Sequence, residues 1–235
     1  MTSVIRDPKL RTLLERLHAA SHQESETLVA YFTRRAREGG LDWNRFDEDT
    51  HRFLGDKLVA LDRDKAELCH LLCRALRARR VVEAGTSFGV STLYLADAVR
   101  ENAGAEGEGV VIATEYEPAK AKAARAHFEE AGLAGFIDLR EGDLRETLRD
   151  LGGPVDFMLI DIWTPMARPA LERVAPHLRP GAIVVCDNTI QFRAAYADYF
   201  AYLADPAHGF RTLTLPFEGG LELSVRTEAG ARGTL

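Results

Sequence analysis

The residues with the most specific chemistry in this sequence are Asp161, at the end of the apolar run 155–160, and the pair Asp187-Asn188, after the run 182–186. Both runs are short and apolar, as strands buried on both faces of a parallel sheet must be. Where two such strands flank the switch point of an open sheet, their exits bring three oxygen-bearing side chains together. Two carboxylates in a partly dry crevice repel each other unless a cation or a proton joins them, so the pattern points to a bound ion. All-oxygen ligation favours Mg²⁺, Ca²⁺ or Mn²⁺ over zinc. An octahedral ion with three protein ligands keeps positions open for water and for a hydroxyl whose pKa it lowers. Taken singly, each position has an ordinary alternative, since Asp187-Asn188 can turn the chain and Asp161 can cap the next loop.

A second cluster lies upstream. The run 81–84 leads through Glu83 into the turn Gly85-Thr86-Ser87-Phe88-Gly89, and helical spacing resumes near Val90. Such a turn lets backbone approach a ligand at a helix N-terminus and marks a nucleotide-type pocket. The spacing G-x3-G lacks the third glycine of the dinucleotide fingerprint, which opposes NAD and FAD. S-adenosylmethionine (SAM) carries no phosphate and needs no such glycine. A plain strand-to-helix turn with two conformational glycines is the competing reading. Glu115, at the end of the next strand, can accept both hydrogen bonds of a ribose diol or can be a solvated acid before Pro118. Glu141-Gly142-Asp143 is placed to line an adenine, and Asp143 is equally suited to cap the helix beginning at Leu144.

Periodicity supplies the elements that must position these groups. Helical spacing runs over 9–38, where Leu10, Leu13, Leu14 and Leu17 and then Leu28, Tyr31 and Phe32 recur, and stops at Gly39-Gly40. The segment 41–56 is polar and aromatic by turns, and 64–79 reads as an amphipathic helix. Strands at 81–84, 110–114, 136–139, 155–160 and 182–186 then alternate with helices at 90–100, 118–131, 144–150, 167–178 and 192–203. This βαβ rhythm predicts an α/β, doubly wound, Rossmann-like fold with a mostly parallel sheet. Two last strands, 210–215 and 221–225, are separated by too few residues for a crossover helix and must form an antiparallel hairpin. The glycine- and glutamate-rich stretch 103–109 reads as a surface loop.

Composition narrows the partners. A chain of 235 residues with a formal net charge of -6 has apolar material for one core, and its arginines are interspersed with acids. No basic stripe exists to neutralise a phosphate backbone or to sit on anionic lipid, so nucleic acid and membrane are excluded and a small-molecule acceptor is expected. Residues 1–17 lack the apolar core of a secretory signal and no run is long enough to span a bilayer, which predicts a soluble, cytoplasmic protein. Cys69, Cys73 and Cys186 fit no zinc spacing and are expected as free buried thiols. His18 and His22 share a helix face without further ligands nearby and are read as solvated.

From about Phe53 to the final hairpin the chain resembles the cation-dependent catechol and caffeoyl-CoA O-methyltransferases, including bacterial relatives. The motifs that carry the likeness are VVEAGTSFGVSTLYLA at 81–96, VIATEYEPAKAKAARAHFEEAGL at 111–133, DFMLIDIW at 156–163 and HLRPGAIVVCDNTI at 177–190. The last two hold the family's metal triad in order. The resemblance implies that Glu83, Gly85, Thr86 and Ser91 contact the methionine part of SAM, that Glu115 contacts the ribose, and that the Leu61 backbone serves the cofactor carboxylate. It further implies a seven-stranded sheet with a reversed last strand, a helical arm over 1–56 before a SAM-dependent methyltransferase domain over 57–235, and a homodimer.

One departure stands out. The family carries a lysine base three residues after the first metal aspartate, whereas this chain reads Asp161-Ile162-Trp163-Thr164-Pro165. Deprotonation must rest on the metal, on water or on a residue from elsewhere, such as Lys57, Lys65 or His51. Trp163 can wall the adenine or acceptor pocket or simply pack. Two rival readings are a dinucleotide-dependent oxidoreductase and a SAM-binding dimer without catalysis.

Overall fold

Apolar runs that cannot face water on either side set the sheet. The computed structural model describes residues 3–40, 42–43, 48–104 and 107–227. Its seven strands are β1 (Arg80–Ala84), β2 (Val110–Glu115), β3 (Ile137–Glu141), β4 (Val155–Ile160), β5 (Leu178–Asp187), β6 (Phe210–Leu215) and β7 (Leu221–Arg226). They lie in the order β3-β2-β1-β4-β5-β7-β6, with the first five parallel and β7 antiparallel to both of its neighbours. The chain reverses its direction of travel between β1 and β4, where open α/β sheets form a crevice beyond their C-terminal edge.

Among the described residues, eight α-helices surround the sheet: α1 (Pro8–Arg37), α2 (Glu48–Leu54), α3 (Arg63–Leu76), α4 (Val90–Ala103), α5 (Pro118–Ala131), α6 (Leu144–Thr147), α7 (Thr164–Val174) and α8 (Ala197–Ala204). One core joins the first half of α1 with α3, α4, α5 and one sheet face, and the other packs α6, α7 and α8 on the opposite face. Asp7 starts α1 by accepting the amides of Lys9 and Leu10 at 2.9 and 3.3 Å, with Pro8 pre-set for the first turn. Leu10, Leu13, Leu14 and Leu17 recur at helical spacing and are all buried, so this half of the helix belongs to the core. Beyond Leu17 the helix projects, leaving Val29 64% exposed while Leu28 and Phe32 turn to a cavity.

Register decides what meets at the crevice. Ala84 pairs with Thr114 on one side and Ile160 on the other, and Ile160 pairs with Cys186. The next residues, Gly85, Glu115, Asp161 and Asp187, therefore emerge in one row along the sheet edge. The hairpin β6–β7 also serves this edge, because its turn carbonyl at Gly219 accepts the amides of Ile190 and Gln191, both at 2.9 Å.

Several boundaries differ from those the periodicity predicts, each where tertiary contacts outweigh local preference. The helix expected over 167–178 begins at Thr164, with Pro165 in its first turn, and ends at Val174. Ala175–His177 forms a tighter turn, and β5 starts at Leu178, which pairs with Val155 across a register shift. The helix expected over 192–203 begins only at Ala197, because the preceding residues form turns that include Phe192 N–H donating to the Asn188 carbonyl at 3.0 Å. The predicted helix 64–79 stops at Leu76 on the left-handed Arg77. The segment 41–56 contains α2, which its composition did not announce, although residues 41 and 44–47 lie outside the described residues, as do 105–106 of the expected loop 103–109.

His18 is not on a solvated face. Its Nε2 lies 3.1 Å from the Tyr94 hydroxyl, and burial, followed by the nearby Arg63, pushes its pKa down to about 4. The three cysteines are free and buried. Among the described residues no helix is long and apolar enough to cross a membrane.

If the arm folds as part of this core, Leu14→Ala should cost about 2–5 kcal/mol and shift one shared unfolding transition. Chemical denaturation followed by both circular dichroism and tryptophan fluorescence tests this. Two separated transitions would show that the arm is an independent unit.

Candidate active site

Gly85 opens the crevice. Its φ of +96° lies in the region only glycine enters freely, and a Cβ there would sit 2.0 Å from the Asp161 carbonyl oxygen. The Asp161 amide donates to the Ala84 carbonyl at 3.0 Å, so β1 and β4 leave the sheet in contact. Gly89, at φ +83°, permits α4 to press on α5, where a Cβ would lie 2.4 Å from the Phe128 ring. Gly89 thus shapes the turn and does not border the cavity.

Beneath this turn lies Glu83, fully buried. Its carboxylate accepts hydrogen bonds from Ser91 at 2.7 Å, Thr92 at 2.5 Å and Thr86 at 3.1 Å. Burial raises its pKa to about 7, against the lowering effect of the three hydroxyls. The resemblance implies that Glu83 contacts the methionine part of a cofactor. Here it sits below the cavity wall and orients Thr86 and Ser91, which do line it.

The other residues expected to serve a cofactor, Gly89 apart, lie along one cavity. Leu61, Gly85, Thr86, Ser87, Ser91, Glu115, Gly142 and Asp143 all border one cavity of about 690 Å³. Glu115 accepts the Ser87 amide at 2.6 Å on one oxygen and the Glu117 amide at 2.8 Å on the other, which fixes the carboxylate across the glycine turn. Each oxygen retains a lone pair for a diol. Asp143 caps α6 through the Arg145 amide at 2.9 Å and also borders the cavity.

On the other side of Gly85 the acids gather. Asp161 faces the cavity, and among the described residues none donates a hydrogen bond to its carboxylate. Desolvation, then the neighbouring Asp187 and Glu83, hold its pKa well above the usual carboxylate range. Asp187 is only 5% exposed and lies behind the wall, accepting from Lys65 Nζ at 2.7 Å and from the Asn188 side-chain amide at 2.9 Å. Lys65 is 1% exposed, and its ammonium also meets Asp62 at 2.9 Å. Burial pulls the Lys65 pKa down, but the charges of Asp187 and Asp62 outweigh it and hold the group above its ordinary value.

Asn188 adopts a left-handed backbone at φ 59°, and its Oδ1 packs where a Cβ on Gly219 would lie only 2.6 Å away. The hairpin turn thereby braces the third candidate ligand. Among the described residues no three histidine, cysteine, aspartate or glutamate side chains converge as a metal cluster.

The rest of the cavity is aromatic. Trp43 lies 4.2 Å from Phe192, 5.3 Å from Phe32 and 6.1 Å from Trp163 between ring centroids. Thr164, which stands where the resemblance implies a lysine, donates its hydroxyl to the Trp43 carbonyl and so ties the arm to the start of α7. The base candidates fare unevenly. Lys65 is an ion-paired cation behind Asp187, Lys57 pairs with Asp56 at 2.8 Å, and His51 meets Glu117 at 2.9 Å on the ribose side. Trp43, Phe32 and Phe192 were not identifiable as wall residues from the sequence. Their only trace was the apolar spacing of Leu28 and Phe32 along a helix that otherwise looked solvated.

The Glu83 environment has a measurable signature. A carboxyl whose folded pKa is about 7, against an ordinary 4.5, holds its proton more tightly in the native state. It stabilises most below pH 4.5, and that contribution is lost as pH rises to about 7, by roughly 3 kcal/mol. Glu83→Gln should lose less stability than wild type between pH 5 and 8 in urea melts. Parallel pH profiles for the two proteins would exclude the raised pKa.

Known proteins resemble this chain in sequence and in fold. A family model described as a methyltransferase domain matches residues 82–189. The catechol O-methyltransferase of Mycobacterium tuberculosis is 32% identical over 177 residues, spanning 74% of this chain and 77% of that protein. The O-methyltransferase of Bacillus cereus, solved in complex with SAH, superposes with a TM-score of 0.67 at 19% identity over 95% of this chain and 93% of its own. TomG of Streptomyces achromogenes, an O-methyltransferase of tomaymycin synthesis solved with SAM, gives 0.62 at 25% identity over 78% and 91%. With the glycine turn, the Glu115 edge and the Asp161–Asp187–Asn188 group in place, the chain belongs to the SAM-dependent O-methyltransferases of the catechol and caffeoyl-CoA type.

Proposed function

We propose that the protein transfers the methyl group of SAM to a hydroxyl of a small phenolic or catechol-like acceptor, aided by a divalent cation at Asp161, Asp187 and Asn188. The observation that carries this reading is the aromatic wall of Trp43, Trp163 and Phe192, which shares one cavity with the glycine turn and with Asp161 and Asn188. A flat ring fits between such side chains, and stacking fixes its plane.

The donor set fits a hard divalent ion, Mg²⁺ before Ca²⁺ or Mn²⁺. Its oxygens come from two carboxylates and an amide, and one of the carboxylates lacks any hydrogen-bond donor among the described residues. Asp161 and Asn188 would hold the ion from the cavity wall and Asp187 from behind them. When bound, a divalent ion lowers the pKa of an acceptor hydroxyl, a service that no side chain at the Thr164 position performs.

The chain's own residues supply alignment. Thr86 and Ser91, oriented by Glu83, receive the methionine end of the cofactor, and Glu115 takes its ribose. The backbone at Gly85 lets the cofactor approach the β1–β4 junction, and the arm residues Leu28, Phe32 and Trp43 exclude water from the acceptor side. Methyl transfer is an in-line displacement, so holding both partners on one axis accounts for much of the rate.

Asp161→Ala should lower kcat/KM toward catechols by at least about 10²-fold and leave SAH affinity nearly unchanged in calorimetry, because the acid serves the acceptor side. EDTA should abolish turnover and Mg²⁺ should restore it. Full activity in EDTA would remove the cation from the proposal, and tight NADH binding without SAH binding would remove the methyl donor. Trp43→Ala should raise the acceptor KM about 3- to 10-fold; an unchanged KM would place the acceptor elsewhere.

A further inference from the structure

Lys65 is the least expected feature of this site. It is among the largest fully buried side chains of the protein, and its ammonium is shared between Asp187 at 2.7 Å and Asp62 at 2.9 Å. The two partners differ in kind: the Asp187 side chain is 6% exposed and the Asp62 side chain 55%. The Lys65–Asp187 contact is therefore sheltered from solvent, while the Lys65–Asp62 contact is screened. Asp161, on the next strand, has no such partner and feels Lys65 only through space. Resting on the cation reading above, we propose that Lys65 is a built-in cation that competes with a divalent ion for Asp187 and thereby sets how tightly the site holds that ion.

The geometry gives the competition a direction. A hard ion drawing on Asp187 enters a carboxylate whose Oδ1 already accepts from an ammonium and whose Oδ2 accepts from the Asn188 amide. Like charges on one sheltered carboxylate repel far more strongly than they do in water. Ion binding must therefore loosen Lys65 from Asp187, and the ammonium falls back on Asp62. Asp62 is the reservoir that makes this exchange possible, and it stands directly after Leu61, which borders the cofactor cavity. Lys65 is a positioning residue in this scheme: it holds Asp187 in place and limits the ion's grip without touching substrate.

Two substitutions should move ion affinity in opposite directions. Lys65→Met leaves Asp187 free, so Mn²⁺ titrated into the full chain and followed by electron paramagnetic resonance should bind about tenfold more tightly than in wild type. Asp62→Asn removes the reservoir and leaves Asp187 as the sole partner of the ammonium, so Mn²⁺ should bind about threefold more weakly. Lys65→Arg should stay close to wild type. Unchanged or weaker Mn²⁺ binding by folded Lys65→Met overturns the proposal. If that variant does not fold, Asp62→Asn decides alone, since its surface position spares the core, and unchanged or tighter binding overturns the proposal. Equal binding by all variants would discard the role of Lys65 and keep the cation site. Failure of every form, wild type included, to bind Mn²⁺ at millimolar concentration would discard the cation reading and this proposal with it.

Discussion

Negative charge held away from water is the constraint around which this site is built. Sheet register delivers Glu115, Asp161 and Asp187 to one edge, with Glu83 directly below. Each acid is compensated differently: Glu83 by three hydroxyls, Glu115 by two backbone amides, and Asp187 by an ammonium and a side-chain amide. Asp161 has no such partner of its own among the described residues. A half-buried carboxylate without a partner is costly, so under the proposal a positively charged ligand has the most to contribute at Asp161. The sulfonium of SAM and a hard metal ion are both positive, so in the proposal either would offset part of this negative charge.

The same edge explains why the sheet ends in a reversed strand. A parallel sheet alone would leave the loop after β5 unsupported. The antiparallel hairpin brings the Gly219–Gly220 turn back over that loop, where a Cβ on Gly220 would lie 2.6 Å from the Ile190 amide nitrogen. Close backbone contact of this kind needs glycine, and it holds Asn188 in a left-handed conformation that an asparagine tolerates and a branched residue would resist.

Much of this was legible beforehand, for physical reasons. Strands buried on both faces announce themselves as apolar runs, and an acid directly after such a run has few places to be other than the sheet edge. Asp161, Asp187, Glu115 and the Gly85 turn were readable on that basis. Lys65 was not: an amphipathic helix containing Arg63, Asp64, Lys65 and Glu67 looks the same whether its lysine is solvated or enclosed, and only packing of α3 against β4 and β5 decides. The aromatic wall was hidden similarly, since Trp43 and Phe192 lie 149 positions apart in sequence and meet only because Thr164 anchors one loop and Asn188 turns the other. The helix end at Val174 was misjudged because Val155, which pairs with Leu178, is remote in the chain, and the start at Ala197 because turns between Asn188 and Ala197 take the place of the expected helix.

Thr164, where the resemblance implies a lysine, then bears on the proposed acceptor. Thr164 spends its hydroxyl on the Trp43 carbonyl, and Lys65 is too strongly ion-paired to accept a proton near neutral pH. With Thr164 and Lys65 both engaged and His51 paired with Glu117, the proposed reaction favours a hydroxyl that comes to the site already acidic. A phenol, with a pKa of about 10, is within reach of the lowering that a sheltered cationic environment gives, whereas an aliphatic alcohol, nearer the value of about 16 for water, is not. Under the proposal above, the aromatic wall and the threonine at position 164 thus bear independently on the acceptor, the first by shape and the second by acidity.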